Sequence, residues 1–130
     1  MDKKKILVVD DEPDFLNLIK IRLEASDYDV ITALDGISAL DKVKSDNPDA
    51  VLLDIQMPGM DGLEVLKRIR QVDNTLPVFM ITAFSSDERF KLANKLNASG
   101  FIVKTSNLKE EIERITGILR LSDNYKGKGV

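Results

Sequence analysis

Short apolar runs alternate along the whole chain with segments whose hydrophobic residues recur at helical spacing. The runs Ile6-Leu7-Val8-Val9, Val51-Leu52-Leu53, Val78-Phe79-Met80-Ile81 and Phe101-Ile102-Val103 show little alternation of apolar and polar positions. Runs of that kind mark strands buried on both faces, as in parallel sheets. The pattern predicts strands near Lys5–Val9, Asp29–Ala33, Ala50–Leu53, Pro77–Ile81 and Gly100–Val103, and helices near Pro13–Ser26, Gly36–Ser45, Gly62–Val72, Ser86–Leu96 and Asn107–Leu121. Five strand–helix units in series imply an α/β fold, a doubly wound five-stranded parallel sheet with right-handed crossovers and helices on both faces.

Local signals agree with these boundaries. Asp11-Glu12-Pro13 sets acidic residues and a proline at a helix start, where orphan N–H groups and the positive dipole end favour them. Asp35-Gly36 and Asn47-Pro48-Asp49 read as turns. Asn97 stands where the fourth helix should stop, in the position of a left-handed cap. Residues 122–130 have no apolar periodicity and are expected to form a loose C-terminal tail behind a single domain at 4–121. On the first helix, Phe15, Leu16, Ile19 and Leu23 share the face toward the sheet. Ile21 points nearly the opposite way with Leu18 on its flank, either as stray surface aliphatics or as a small docking patch for a partner helix.

Composition narrows the chemistry. The 130 residues are 43% hydrophobic and 32% charged with a net charge of −3, which supplies no broad attraction to nucleic acid or anionic membrane. The apolar run after Lys3-Lys4-Lys5 has four residues, too few for a signal peptide or a membrane span, so the cytoplasm is the expected compartment. Cysteine and histidine are absent. Disulfides, thiolate metal sites, cysteine nucleophiles, zinc hydrolase chemistry and Ser-His-Asp catalysis are thereby excluded. A phosphohistidine, if one is involved, must belong to another molecule.

Five polar residues follow the apolar runs: Asp10 and Asp11 after the first, Asp54 after the third, Thr82 after the fourth and Lys104 after the fifth. In doubly wound sheets, ligands bind outside the carboxyl ends of the strands where the strand order reverses. Under the order 2-1-3-4-5, a common one for such sheets and adopted on that ground, Asp10, Asp11 and Asp54 converge from neighbouring strands. Packed carboxylates resist joint ionisation unless a cation neutralises them. Hard oxygen donors make Mg2+ the natural ion, with open positions left for water and phosphate oxygens. Asp54 is the candidate nucleophile toward phosphorus. Asp11, with Asp10 behind it, is the candidate metal seat, while Lys104 and Thr82 are candidate contacts to phosphoryl oxygens. Taken singly, each residue has a plainer reading: Asp10 and Asp11 as helix caps, Asp54 as a loop carboxylate, Thr82 as a turn residue, Lys104 as a cation snorkelling from a strand end.

From about Lys4 to Leu121 the chain resembles the receiver domain of two-component response regulators, a flavodoxin-like fold. The motifs are Val8-Val9-Asp10-Asp11-Glu12, Leu53-Asp54 through Met57-Pro58-Gly59-Met60-Asp61-Gly62, Ile81-Thr82-Ala83 and Gly100-Phe101-Ile102-Val103-Lys104. The resemblance implies that Asp54 accepts a phosphoryl group from the phosphohistidine of a histidine kinase or phosphotransfer protein. It implies Mg2+ bound by Asp11, Asp54 and the backbone carbonyl of Gln56, with Asp10 assisting through water. It implies that Thr82 and Lys104 contact the phosphoryl group and that Phe101 is a switch aromatic turning inward as Thr82 moves. The readout face for a downstream protein target or a homodimer would be the fourth helix, fifth strand and fifth helix, with no direct nucleic acid binding and no membrane.

Two positions depart from the family pattern. Lys104 is ordinarily followed by proline through a cis peptide; here Thr105 follows. A cis bond before a non-proline residue costs about 3 kcal/mol, so this loop is either trans or strained. Phe84, two residues past Thr82, is bulky at a position governing water access to the phosphate, and slow dephosphorylation is expected. Among competing readings, a phosphatase of the haloacid dehalogenase type needs an aspartate two residues after its nucleophile, where this chain has Gln56. A flavodoxin-type electron carrier needs a hydroxyl-rich first loop and stacking aromatics; the chain offers Asp-Asp-Glu-Pro, Tyr28 and Tyr125. The remaining alternative is a protein-interaction module with the same fold that is not phosphorylated.

Overall fold

The computed structural model describes the backbone of residues 3–83, 86–105 and 107–128, and the side chains of these except Leu108 and residues 122–128. Phe84 lies outside the described residues. Five strands and five helices alternate: β1 (Lys5–Val9), α1 (Pro13–Ala25), β2 (Asp29–Ala33), α2 (Gly36–Asp46), β3 (Ala50–Asp54), α3 (Gly62–Val72), β4 (Val78–Thr82), α4 (Asp87–Lys95), β5 (Gly100–Val103) and α5 (Leu108–Lys128). All strand pairs are parallel, in the order β2-β1-β3-β4-β5. The adopted order is therefore the observed one, and the order reverses between β1 and β3.

The period of two splits the strand residues between two cores. Leu7, Val9, Val51, Leu53, Val78 and Met80 pack with residues of α2, α3 and α4, among them Ala39, Val65, Leu66, Ile69 and Ala93. Ile6, Val8, Ala50, Leu52, Phe79 and Ile81 pack with Leu16, Ile19 and Leu23 of α1 and Ile115 and Leu119 of α5. Burial on both sides is why the strands read as unbroken apolar runs.

Helix ends follow local chemistry. Pro13 occupies the first turn of α1. The carboxylates of Asp35 and Asp61 accept hydrogen bonds from the Ser38 and Glu64 N–H groups and cap α2 and α3. Asn97 adopts φ 62°, the expected left-handed stop after α4. Its carbonyl accepts from Arg70 Nε at 3.1 Å and Nη2 at 2.8 Å, pinning the end of α4 to α3.

Two expectations change, and one open alternative is resolved. Asp54 and Thr82 are the last residues of β3 and β4, not loop residues beyond them. Strand pairing is made by the backbone, so the ladder Asp54–Ile81 and Thr82–Val103 continues past the end of the apolar run. The helix expected to end at Leu121 runs to Lys128, so the backbone of 122–128 is not a loose tail. Apolar periodicity marks where a helix packs rather than where it stops. Finally, no cis peptide occurs among the described residues, so the Lys104–Thr105 bond is trans.

Candidate functional site

The carboxyl ends of β1, β3, β4 and β5 bring the polar residues together. Asp10, one residue past β1, is 1% exposed, Asp54 is 4% exposed, and Thr82 is fully buried. Asp11 is exposed. Asp10 is fixed by two partners: its Oδ1 accepts from the Glu12 N–H at 2.9 Å and its Oδ2 from Lys104 Nζ at 2.8 Å. The same ammonium lies 4.0 Å from Asp54 Oδ2 and 3.9 Å from Glu12 Oε1. It also stands 4.3 Å from the centre of the Phe15 ring, a cation–π contact from α1. The Lys104 N–H donates to the Thr82 carbonyl at 2.7 Å, tying the two strand ends.

Burial lowers the affinity of Lys104 for its proton, but the Asp10 hydrogen bond and the charges of Asp10, Asp54 and Glu12 outweigh it and raise its pKa. Asp54 is pushed up from 3.8 to about 6, first by burial and then by Asp10; Lys104 and the Gln56 N–H lower it, and Asp11 raises it slightly. A carboxylate in that range is mostly ionised at neutral pH yet less stabilised than an exposed one. Its negative charge is not fully compensated by Lys104 and the Gln56 N–H.

Carboxylate oxygens of Asp10, Asp11 and Glu12 lie within 4.8 Å of one another. This donor set, all hard oxygens with more negative charge than Lys104 can balance, fits a small divalent cation such as Mg2+. Sequence reading had placed Asp10, Asp11, Asp54 and the Gln56 carbonyl as the metal seat and had treated Glu12 only as a helix-start residue. Asp10 is more buried and more directly paired to lysine than a residue standing behind Asp11.

Glycine at position 62 is imposed by this site. A Cβ there would lie 2.1 Å from the carbonyl oxygen of Asp54, and the Gly62 N–H donates to the Ile55 carbonyl at 2.8 Å. The loop from Asp54 thus folds back onto its own strand end. Phe101 is half-buried and meets Phe90 of α4 edge-on, with ring centres 5.5 Å apart at 75°. On α1, Ile21 is 61% exposed and Leu18 half-buried, apart from the acidic cluster in burial and character.

Residues 6–116 match the response regulator receiver domain. The chain belongs to that family. The receiver is 43% identical over 122 residues to the alkaline phosphatase synthesis transcriptional regulatory protein PhoP of Bacillus subtilis, covering 92% of this chain and 50% of the relative. The chain spans about half the length of the curated relatives it matches. Among solved structures, a CheY-like receiver domain protein from Methanospirillum hungatei superposes with a TM-score of 0.84 at 28% identity, covering 95% of this chain and 98% of that one. The response regulator TrrA of Thermotoga maritima, solved in complex with Mg2+ and BeF, gives 0.76 at 40% identity over 88% and 98% of the two chains. Among the described residues, no helix of the receiver is long and apolar enough to cross a membrane.

Proposed function

We propose that this receiver is a phosphoacceptor that takes a phosphoryl group onto Asp54 from the phosphohistidine of a histidine kinase or phosphotransfer protein. One observation carries the reading: the Lys104 ammonium is 2.8 Å from Asp10 and 4.0 Å from Asp54, so counter-charge, acid cluster and candidate nucleophile share one rim. An Asp54 carboxylate oxygen attacks phosphorus, the P–N bond to the donor imidazole breaks, and the electron pair returns to that nitrogen. Mg2+, held by Asp11, Asp54 and the Gln56 carbonyl with Asp10 assisting through water, would neutralise charge on the transferring group. Lys104 offers one phosphoryl oxygen a fixed positive charge, and the Thr82 hydroxyl offers another a hydrogen bond.

In the product the phosphoryl group carries about two negative charges where the Asp54 carboxylate carried one. Lys104 then divides its attraction between Asp10 and the new group, and Thr82 is drawn toward it. Phe101, packed on Phe90, would follow Thr82 inward and alter the surface of α4, β5 and α5 for a downstream protein or a second receiver. Ile21, with Leu18 beside it, would serve the donor as a docking patch. The chain assists its own phosphorylation and dephosphorylation rather than turning over a separate substrate, in the cytoplasm, without binding nucleic acid itself.

Incubation with acetyl phosphate and Mg2+ tests the reading. The intact chain should gain one phosphoryl mass, and Asp54→Ala should gain none. No gain by the intact chain would leave the unphosphorylated interaction module as the better account.

A further inference from the structure

Glu111 is a buried carboxylate that takes no part in the acidic cluster. It is 5% exposed and shares the sheet-facing stripe of α5 with Ile115 and Leu119, both buried. A charge in that position is unfavourable unless hydrogen bonds satisfy it. Its Oε1 accepts the backbone N–H of Thr105. That N–H belongs to the planar peptide joining Lys104 to Thr105, so the bond fixes the peptide that carries the Lys104 side chain. The peptide on the other side of Lys104 is held through its own N–H to the Thr82 carbonyl at 2.7 Å. The Thr105 hydroxyl bonds Asn107 at its carbonyl (3.2 Å) and N–H (3.1 Å), and Asn107 Oδ1 accepts the Glu110 N–H at 3.2 Å, starting α5. Proline at 105 would have no N–H to donate; threonine supplies one, and Glu111 receives it.

We propose that Glu111 is a positioning residue for Lys104. By clamping the Lys104–Thr105 peptide to the first turns of α5, it holds the ammonium between Asp10 and Asp54. The proposal rests on the phosphoacceptor reading for its effect on rate, but the clamp itself does not.

The test compares Glu111→Leu and Glu111→Gln in the full chain. Leucine continues the apolar stripe of Ile115 and Leu119 and removes the acceptor; glutamine keeps an acceptor oxygen. Glu111→Leu should melt no lower than wild type yet take label at saturating acetyl phosphate on the order of tenfold more slowly. Glu111→Gln should label at close to the wild-type rate. Hydrogen exchange at the Thr105 amide should be slow in wild type and Glu111→Gln and fast in Glu111→Leu. Equal labelling rates for wild type and Glu111→Leu overturn the proposal, as does a Gln variant as slow as the Leu variant. A wild-type chain that takes no label defeats the phosphoacceptor reading instead. The clamp is then judged by the Thr105 amide alone, and fast exchange there in wild type overturns it.

Discussion

Replacing Asp54 by asparagine removes a buried charge while keeping the shape, so the protein should become more stable, and by an amount that depends on pH. The Asp54 carboxyl is pushed up from 3.8 to about 6, by burial first and by Asp10 next. The folded protein therefore holds this proton more tightly than the unfolded chain does. Below about pH 4 both states are protonated and Asp54 costs nothing. Between about 4 and 6 stability falls as pH rises, and above about 6 the full cost is in place. At about 1.4 kcal/mol per pH unit, the displacement corresponds to about 3 kcal/mol; water reaching the open rim reduces that to about 1–2 kcal/mol. Urea denaturation of wild type and Asp54→Asn, in chelator and across pH, measures it. The variant should gain about 1–2 kcal/mol near neutral pH with an unchanged denaturant slope, and the two curves should meet below about pH 4. A gain of the same size at every pH, or none at neutral pH, would refute the argument that burial of the charge is the cause.

Other substitutions probe other parts of the frame. Gly62→Ala drives a Cβ against the Asp54 carbonyl, 2.1 Å away, and should cost about 3 kcal/mol in denaturant while suppressing labelling by acetyl phosphate. The Asp73 carboxylate is held below the usual range, chiefly by the Thr75 N–H and further by the Thr75 hydroxyl, the Leu76 N–H and Arg70. Its contribution is present above the ordinary aspartate range and lost as pH falls through the lowered value, so Asp73→Asn should be weaker by under about 1 kcal/mol at neutral pH and indistinguishable in strong acid. Ile21→Asp should slow transfer from a phosphorylated histidine kinase at least several-fold and leave acetyl phosphate labelling unchanged; equal slowing with both donors would mean that the fold, not a docking patch, had been damaged.

Most of the frame was legible because burial on both faces leaves apolar runs that need no partner to be recognised. β1, β2, β5 and α3 keep the predicted ends. The boundary at Asp54 was not legible, because an aspartate looks like the end of a strand while its backbone still pairs with Ile81. The acidic cluster could be gathered from spacing alone, but its internal pairing could not. Whether Lys104 meets Asp10 or Asp54 depends on side-chain reach across the top of the sheet. Glu12 was missed as a possible ligand because its position at a helix start already explained it. Glu111 left a signal that was not used: counted in steps of four, it falls with Ile115 and Leu119, where an acidic residue needs a partner. Gly62 closes the motif that follows Asp54, but the approach of its backbone to Asp54 is a property of the folded loop.

The thin attachment of α4 has a consequence for how the molecule breathes. Of its nine residues only Ala93 is buried, whereas α3 buries five residues. Its carboxyl end is fastened by the Arg70 guanidinium to the Asn97 carbonyl, while nearer its start the ring contact of Phe90 with Phe101 holds it. Local opening takes least free energy where least surface is sequestered. The amides of α4 should therefore exchange through a fraying motion that begins near Ser86 and stops at Asn97. Those of β1, β3 and β4 should wait for the whole molecule to unfold. The helix that borders the proposed output face should thus open more readily than α3, in the resting protein and without any signal.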